Sequence, residues 1–506
     1  MMITSVLCLN PKYTHMKNHL RLLLLMMLAY SVNAVAQVRY LDEVFSSVTV
    51  NSDVTYGANV TIITGAPTLD TLKMDVYEPD GDTAGLRPLI VYLHTGSFLP
   101  VPTNGQCTGD KLDSASVEMC MRFAKKGYVT AAINYRLGWN PLGDQDTRTG
   151  TLLNAVYRAI QDAKSAVRYF RSTIASGNPY KIDDTKIILG GQGSGGYVAL
   201  AYATIDDYAD ITLPKFINLT SGQPYVDTTL SGDWDGNGGT GLNQPALNNP
   251  GFSNDIHFVF NMGGALGDST WLKPGDVPMV CFHVPNDPFA PYMYGPVFVP
   301  TTQQFVVNVS GSHHIIQMAN AMGNNNSFIN LGLTDPFTVM ANVNNDGLDG
   351  LYPLLRPVPP GPLTGEAGPW EWWDPSCVNH TSSLASNPDM SKAKGMAYID
   401  TVQGYLCPRM YYSLGLNVGV NEVALLSNSV KVYPNPTAGN FTISLVNTPG
   451  TANRVTITDM AGRIIRDFNP AGQKIIEVER KGLSAGLYML NIEINGTKVI
   501  RQVSLR

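Results

Sequence analysis

The glycine-rich stretch IILGGQGSGGYVAL at residues 187–200 constrains the fold of this chain more than any other feature of the sequence. It starts with a short run of β-branched and apolar residues, passes through a glycine cluster, and ends in residues typical of a helix. That order predicts a buried strand, a sharp turn and a helix that begins at the turn. The turn needs glycines because it brings the backbones of the strand and the helix too close together for side chains.

The centre of this turn can be placed at either of two residues. In the pattern G-x-S-x-G, the positions two before and two after the centre must be small. Centring on Gly193 puts glycines at both positions, whereas centring on Ser194 puts Gln192 at the first, where its side chain fits badly. The Gly193 register is therefore preferred, but a glycine cannot supply the hydroxyl that nucleophilic catalysis requires. Ser194 becomes the nucleophile only if the turn is shifted by one residue.

Strands and helices alternate from about residue 48 to residue 309, which predicts a mostly parallel sheet with helices on both of its faces. The clearest helix is predicted over Thr151–Thr173, where apolar residues recur at spacings of three and four. The predicted strands are Thr71–Tyr77, Pro88–Leu93, Val129–Asn134, Lys186–Leu189, Ile256–Asn261, Val277–His283 and Gln304–Val309. Residues 323–376 are rich in Asn, Gly and Pro, and they predict irregular structure or a long cap.

The last part of the chain follows a different pattern. From Ser427 onward, apolar and polar residues alternate in short runs that are separated by Gly, Asn and Pro. Strict alternation is typical of strands with one buried face, so these residues predict a separate all-β sandwich.

The N-terminus has the pattern of a secretory signal. Basic residues precede the apolar run Leu22–Ala29, and small residues at Ala34 and Ala36 form a cleavage site. The pattern favours Met16 over Met1 as the start and predicts cleavage after Ala36. The apolar run is about half of the ~20 residues that a membrane span needs. We therefore expect an exported protein with no transmembrane segment after signal removal.

The net charge and the cysteine spacing argue against a nucleic-acid partner and against a structural zinc site. A net charge of -6 without a basic run argues against a nucleic-acid partner. The chain has no CxxC pair, which argues against structural zinc. Export permits disulfides, and the sequence leaves open whether Cys107 pairs with Cys120 and Cys377 with Cys407. Cys281 lies in an apolar segment and is expected to be a buried thiol.

Four motifs in order resemble the carboxylesterase branch of the α/β-hydrolase fold, over about residues 45–320. They are LIVYLHTGSF at 89–98, INYRLG at 133–138, AIQDAKSAVRYFR at 159–171 and the glycine-rich turn at 190–196. The resemblance implies an oxyanion hole formed by backbone amides. Its donors would be Gly96, Ser97 and the residue after the elbow centre, which is Gly195 for a Ser194 centre and Ser194 for a Gly193 centre.

The same resemblance supplies an acid and a base. The segment PMVCFHVPNDPFAPY resembles the site where this fold presents its acid after a strand, which makes Asp287 the candidate. FVVNVSGSHHIIQ resembles the strand, glycine loop and base, with His313 preferred and His314 in reserve. Ser194, His313 and Asp287 would then hydrolyse a small ester or carbohydrate-linked substrate. With Gly193 at the elbow centre, the alternative is an inactive binding protein, in which Asp287 merely caps a turn.

The C-terminal part resembles the sorting domain of the type IX secretion system of Bacteroidetes. The matching residues are Val432–Thr437, VTITDMAGR at 455–463 and Gly486–Tyr488. The resemblance implies the secretion machinery as a partner and a protein that is released or displayed on the cell surface. The chain then divides into a signal region at 1–36, an α/β-hydrolase-fold domain at 37–415 with an irregular insert at about 323–410, a linker at 416–428 and a sorting domain at 429–506.

Two further patterns concern ligands. Asp233, Asp235 and Asn237 alternate ahead of a glycine, as in a calcium loop, although such clusters are more often solvated turns. No other cofactor is expected. Half of the six tryptophans lie in PWEWWDP at 369–375. They form either a stacking platform for a sugar or aromatic group or an anchor that holds an irregular segment on the core.

Overall fold

The computed structural model describes residues 37–506 except 64, 102, 300–301, 358–364, 418–429, 447, 449–450, 461–462 and 495–496. The predicted signal region lies outside the described residues. So do most of the predicted linker and the proline-rich residues 358–364.

A large sheet forms the centre of the first part of the chain. The strands of this part are β1 Val48–Thr61, β2 Thr68–Pro79, β3 Arg87–Leu93, β4 Val129–Ile133, β5 Ile182–Gln192, β6 Phe258–Met262, β7 Met279–His283, β8 Tyr294–Phe298, β9 Phe305–Ser310 and β10 Leu351–Pro353. Eight of them form one sheet in the order β1-β2-β4-β3-β5-β6-β7-β10. β1 and β2 are antiparallel to their neighbours, and the other strands run parallel. β3 is buried along its whole length, as expected for a central parallel strand.

Helices cover both faces of this sheet, which confirms the predicted fold class. The helices are α1 Ser114–Lys126, α2 Gln145–Ala175, α3 Ser194–Thr204, α4 Thr228–Ser231, α5 Ser312–Met322, α6 Asn326–Ile329, α7 Pro336–Ala341, α8 His380–Ser383 and α9 Lys392–Ser413. Val91 of β3 packs in one core with α2, α3 and α5. Ile90 faces the other way, into a core with α1 and α9. Successive residues of one strand thus supply two cores.

The long helix α2 contains the predicted helix Thr151–Thr173 and extends it at both ends. Asp144 caps its start by accepting a hydrogen bond from the Thr147 amide at 2.8 Å. On its inner side, Asp162 forms a fully buried ion pair with Arg136, which follows β4. The helix is therefore held to the loop beside the sheet's carboxyl edge.

The sequence prediction for the last strand of the sheet is wrong. Gln304–Val309 does form a strand, β9, but it pairs antiparallel with β8 in a separate hairpin. The place beside β7 is taken by β10, a three-residue strand within the part predicted to be irregular. A strand this short among Asn, Gly and Pro residues has no detectable periodicity, and only its pairing with β7 defines it.

The predicted irregular insert at about 323–410 also needs correction. It contains α6, α7, β10, α8 and most of α9, a helix of 22 residues. α9 packs along the sheet and buries Ile399, Leu406 and Met410. Tertiary burial stabilises helices here despite the high content of Gly, Pro and Asn.

The cysteine pairing differs from both possibilities considered. Cys107 forms a disulfide with Cys377 across 270 residues of sequence. Cys120 and Cys407 are buried free thiols because they lie on the inner faces of α1 and α9. Cys281 is a buried free thiol, as predicted.

The C-terminal part forms two antiparallel sheets, as the alternating pattern predicts. Its strands are β11 Lys431–Tyr433, β12 Phe441–Ser444, β13 Ala452–Asp459, β14 Ile464–Phe468, β15 Ile475–Val478, β16 Gly486–Ile494 and β17 Thr497–Leu505. The sheets have the orders β11-β12-β15 and β14-β13-β16-β17. Their inner faces form a hydrophobic core of their own, from Val430 to Leu505. Across the described part of the chain, no helix is long and apolar enough to span a bilayer.

Candidate functional site

The sharp turn between β5 and α3 is centred on Gly193. This residue has φ 52° and ψ -119°, a backbone conformation that glycine adopts without steric cost. A Cβ on Gly191 would lie 2.5 Å from the carbonyl carbon of Gly195, and a Cβ on Gly195 would lie 2.6 Å from the His94 carbonyl oxygen. The positions two before and two after Gly193 therefore have no room for side chains. The turn has the geometry of a nucleophile elbow with a glycine at its tip.

Thr95 occupies the space where a nucleophile would extend from the elbow. A Cβ built on Gly193 would overlap the Thr95 hydroxyl oxygen and lie 3.1 Å from Thr95 Cβ. Thr95 follows β3 and is half-buried at the carboxyl edge of the sheet. The residues at positions 95 and 193 are therefore sterically coupled: a hydroxyl group is present at this point, but it belongs to the neighbouring loop.

Ser194 is the first residue of α3, and its hydroxyl is bonded to a tyrosine. Tyr135 Oη lies 2.8 Å from the His94 carbonyl oxygen and 3.0 Å from Ser194 Oγ. Because the carbonyl can only accept, Tyr135 donates its single proton to it, and Ser194 donates to Tyr135. No histidine nitrogen is among the hydrogen-bond partners of Ser194 in the described residues.

Asp287 lies in the loop after β7, at the carboxyl edge of the sheet. Its Oδ1 accepts hydrogen bonds from the amides of Phe289 at 2.7 Å and Ala290 at 3.1 Å. Its Oδ2 is buried and has no hydrogen-bond partner among the described residues. Burial raises the pKa of Asp287 to about 7, against the lowering effect of the two amides.

His313 stands at the start of α5 and does not line the cavity that Asp287 and Ser194 line. Its Nε2 lies 3.0 Å from Asp346 Oδ2. The Tyr292 ring packs against it, with 5.4 Å between ring centroids. Nδ1 of His314 lies 3.3 Å from Ser310 Oγ. The structure thus brings neither histidine into a hydrogen bond with Asp287 or Ser194.

The loop after β3, which contains the predicted oxyanion donors Gly96 and Ser97, has an unusual backbone conformation. Gly96 has φ 123°, and Ser97 and Phe98 have φ 55° and 57°, in the left-handed region. Non-glycine residues in this region cost about 1–2 kcal/mol each. Two hydrogen bonds hold the loop in place: Trp139 Nε1 donates to Ser97 O and the Gly138 amide donates to Phe98 O, both at 2.8 Å.

These loops surround one cavity of about 170 Å³ at the carboxyl ends of β3, β5, β6 and β7. Thr95, Gly96, Ser97, Gly193, Ser194 and Asp287 line it, whereas Gly195 and His313 do not. Much of its wall is aromatic, from Phe98, Trp139, Tyr197, Phe216, Trp271, Phe289, Phe298 and Trp370. In sheets of this kind, ligands bind at this edge.

Glu371 is a further carboxylate of this cavity, and the sequence interpretation missed it. It lies in the segment that follows β10, and its Oε1 accepts a hydrogen bond from Gln192 Nε2 at 3.3 Å. Burial and the nearby charge of Asp113 raise the pKa of Glu371 to about 8. A lone carboxylate within the apolar run PWEWW was the available signal, because such a residue is buried with the rings around it.

The predicted calcium loop has protein partners for its carboxylates. Asp233 Oδ1 accepts hydrogen bonds from the amides of Asp235 at 3.0 Å and Asn237 at 2.8 Å. Asp235 pairs with Lys164 at 2.6 Å. Within the part of the chain that the structure covers, no group of three or more His, Cys, Asp or Glu is arranged to hold a metal ion.

Two family models match the chain. Residues 74–228 match the family described as BD-FAE, and residues 431–506 match the secretion system C-terminal sorting domain. The chain therefore contains an esterase-like domain of the α/β-hydrolase fold. It ends in a type IX sorting domain, which directs it to secretion and the cell surface.

Solved structures of esterases are similar to this chain at low identity. Butyrate-bound Est2 of Thermogutta terrifontis is 14% identical, with 66% of this chain and 92% of that chain covered and a TM-score of 0.33. The bifunctional GH43-CE protein of Bacteroides eggerthii is 17% identical over 50% of this chain and 32% of that chain, with a TM-score of 0.31. A truncated carbohydrate esterase from gut microbiota is 18% identical over 49% of this chain and 81% of that chain, also at 0.31. No curated protein sequence matches the chain.

Proposed function

We propose that the esterase-like domain is a non-catalytic binding domain that holds a small ligand in the cavity at the elbow. The observation that supports this most directly is the glycine at the elbow tip, with the Thr95 hydroxyl in the space a nucleophile would need. A glycine cannot form an acyl intermediate. The sorting domain then makes it a ligand-binding protein at or outside the cell surface.

The position of the base supports the same proposal. In this fold the histidine follows the acid in chain order. The strand beside β7 is β10, and the sequence from its end to Glu371, which lines the cavity, contains no histidine. Glu371 occupies the cavity wall there instead. A carboxylate whose neighbours are Asp113 and Asp287 is a poor substitute for an imidazole that must become a cation.

Ester hydrolysis by Ser194, His313 and Asp287 is the competing function. Its specific support is that Ser194 and Asp287 line one cavity together with the loop of Gly96 and Ser97. It requires Ser194 to leave Tyr135 and a base to reach it.

A fluorophosphonate probe separates the two functions. We expect the purified mature protein to remain unlabelled, because labelling needs an activated hydroxyl. Binding is read from tryptophan fluorescence, because Trp139, Trp271 and Trp370 line the cavity. Covalent labelling that disappears in Ser194→Ala, with hydrolysis of aryl esters, contradicts the proposal and makes Ser194 the nucleophile.

Two further predictions stay part of this proposal. Calcium binding by Asp233, Asp235 and Asn237 is tested by calorimetric titration of calcium into the protein.

The division into domains at 37–415 and 429–506, with a linker at 416–428, is tested by limited proteolysis, which should cut first within the linker.

A further inference from the structure

Among the described residues, the charged side chains that line the cavity are all acidic. Among the described residues that line it, Asp287 and Glu371 carry carboxylates, and none is Lys, Arg or His. Neither carboxylate forms an ion pair with a Lys or Arg among the described residues; the one basic group near Asp287 Oδ2 is His283 Nε2, at 3.9 Å. Buried carboxyl groups are either paired with a cation or protonated, so a cation is the ligand charge that complements this cavity.

His283 does not neutralise Asp287. Its Nε2 lies 3.1 Å from the Ala290 carbonyl, which can only accept, so the ring proton is on Nε2 and is donated there. Its Nδ1 accepts from the Ser312 hydroxyl at 2.7 Å. Burial lowers the pKa of His283 to about 4, so the ring is neutral at physiological pH.

Asp287 is fixed in a way that directs one oxygen toward a ligand. Two backbone amides hold Oδ1, whereas Oδ2 is without a partner on a side chain that is 1% exposed. A Cβ built on Gly263 would lie 3.6 Å from both Asp287 Oδ2 and Trp370 Cη2. The unpartnered oxygen and the edge of an indole therefore face the same small space, which the missing side chain of Gly263 leaves open.

We propose that this cavity binds a small organic amine as its ammonium cation, with the charged head at Asp287 and Glu371 and the apolar body against the aromatic wall. The inference rests on the proposed binding function and names its ligand class. An ammonium supplies the donors that Asp287 Oδ2 lacks, and the aromatic wall supplies an apolar surface for the hydrocarbon part of the ligand. The apolar end would lie toward Leu152, Val156 and Phe216, which line the cavity.

The start of α3 acts against a cation but is the weaker effect. A helix N-terminus carries a partial charge of roughly +0.5, compared with a full negative charge on each ionised carboxylate. Two carboxylates therefore outweigh it, and the bound cation favours their ionised forms. Amine binding at neutral pH should consequently release protons from the protein.

Three probes of similar size and shape test the charge preference. They are 2-phenylethylammonium, 2-phenylethanol and 3-phenylpropanoate, titrated calorimetrically into the full-length mature protein at pH 8. We expect the ammonium to bind about tenfold or more tightly than the alcohol, which corresponds to one charge-assisted hydrogen bond, and the carboxylate to bind most weakly. At pH 7, titrations in two buffers of different ionisation enthalpy should report proton release for the ammonium alone.

Asp287→Asn and Glu371→Gln test the two carboxylates. Asparagine keeps an oxygen for the amides of Phe289 and Ala290, so the fold of the loop is expected to persist. Asp287→Asn should bring the ammonium-to-alcohol ratio close to one, and Glu371→Gln should lower it. Asp374→Asn is the matched control, because Asp374 is an exposed carboxylate of the same segment; it should leave the ratio unchanged.

The outcomes distinguish this inference from the function on which it rests. If the alcohol or the carboxylate binds as tightly as the ammonium, the protein binds ligands but the amine preference is wrong. If the preference persists in both Asp287→Asn and Glu371→Gln, these carboxylates are not the site. If none of the three probes binds, the amine inference is wrong, and the proposed function stands or fails on the fluorophosphonate experiment.

Discussion

At the scale of single residues, Gly193 and Thr95 have to be considered together. The glycine leaves space at the tip of the elbow, and the threonine hydroxyl fills it. Introducing a serine at position 193 alone therefore places a side chain in occupied space, on a backbone with φ 52°. A serine at the tip of the elbow therefore requires substitutions at both position 193 and position 95.

A double-mutant cycle measures this coupling. We expect Gly193→Ser to lower the free energy of unfolding by about 2–4 kcal/mol, through overpacking and positive-φ strain. In a Thr95→Gly background the overlap is gone, so the same change should cost only about 1–2 kcal/mol. Urea unfolding of the four proteins gives the coupling energy. Equal costs in both backgrounds would mean that the Thr95 hydroxyl does not occupy the space.

Asp287 gives the stability a defined pH dependence. Its folded-state pKa of about 7 lies above its ordinary value of 3.8, so the folded protein holds the proton more tightly than the unfolded chain. This stabilisation is complete below about pH 4 and is lost as pH rises to about 7. His283 beside Asp287 is neutral, and the charge of Asp287 helps to raise the pKa values of Tyr197 and Glu371, which face it.

Asp287→Asn tests this pH dependence of the stability, because asparagine does not titrate. Between pH 4 and pH 8, the variant should gain stability relative to the wild type by on the order of 4 kcal/mol. Chemical unfolding at several pH values measures this gain. Asp374→Asn serves as the control, because the pKa of Asp374 is lowered by its hydrogen bonds to Ser376. A constant difference between variant and wild type across this range would contradict the assignment.

How much of the site the sequence predicts depends on the residue. The Gly193 register follows from sterics alone, because only small residues fit two positions away. Asp287 follows from its place after an apolar strand. Thr95 does not follow from the sequence, because its position depends on the distance between two loops. For Glu371, the apolar run around it signals burial, but its place in the cavity depends on recognising a strand of three residues.

At the scale of elements, the hairpin of β8 and β9 explains why the sequence pattern indicates His313 as the base. The run FVVNVS resembles the last strand of the sheet, and a glycine and a histidine follow it as expected for a base. Burial alternation is the same in a hairpin and a sheet edge, so the sequence does not separate them. Strand pairing separates them, because β10 and not β9 is the strand paired with β7 at the edge of the sheet.

The Cys107–Cys377 disulfide joins the two segments that form one side of the cavity. Gln106 and Thr108 flank the first cysteine, Trp370 and Glu371 precede the second, and all four line the cavity. Because the bond closes a loop of 270 residues, removing it should lower stability by on the order of 5 kcal/mol. The Cys107→Ser and Cys377→Ser double variant should also bind ligand more weakly.

A reductant provides the control for this experiment. Denaturant unfolding should show a loss of stability when the wild type is reduced and no change when the double variant is treated in the same way. The buried thiols of Cys120, Cys281 and Cys407 are present in both proteins and cancel in the comparison. Equal responses to the reductant would show that another cysteine is responsible.

At the scale of the whole molecule, the chain contains separate hydrophobic cores. Residues of the large sheet and its helices form two of them, and Val430 to Leu505 form a third with its own members. The change from mixed to strictly alternating patterns predicts this division from sequence, because a sandwich must bury one face of each strand. The sorting domain directs export, and the cavity belongs to the other part.

Removing residues 431–506 should therefore leave the cavity and its stability unchanged. All six tryptophans precede residue 431, so their fluorescence reports only on the first part of the chain. Thermal melting curves by tryptophan fluorescence should superimpose for the full and shortened proteins. A shift of more than a few degrees would mean that the two parts stabilise each other. The shortened protein should also fail to reach the cell surface.

If the esterase-like domain is the binding domain that we propose, the Thr95 side chain beside Gly193 makes a serine nucleophile hard to introduce there. Gly193→Ser alone places a side chain against Thr95 and destabilises the fold. Replacing Thr95 alone leaves the elbow tip without a hydroxyl. Under the proposed function, a serine at the elbow tip therefore requires changes at both positions. The pair is thus a steric barrier between a cavity that holds a molecule and a cavity that cleaves one.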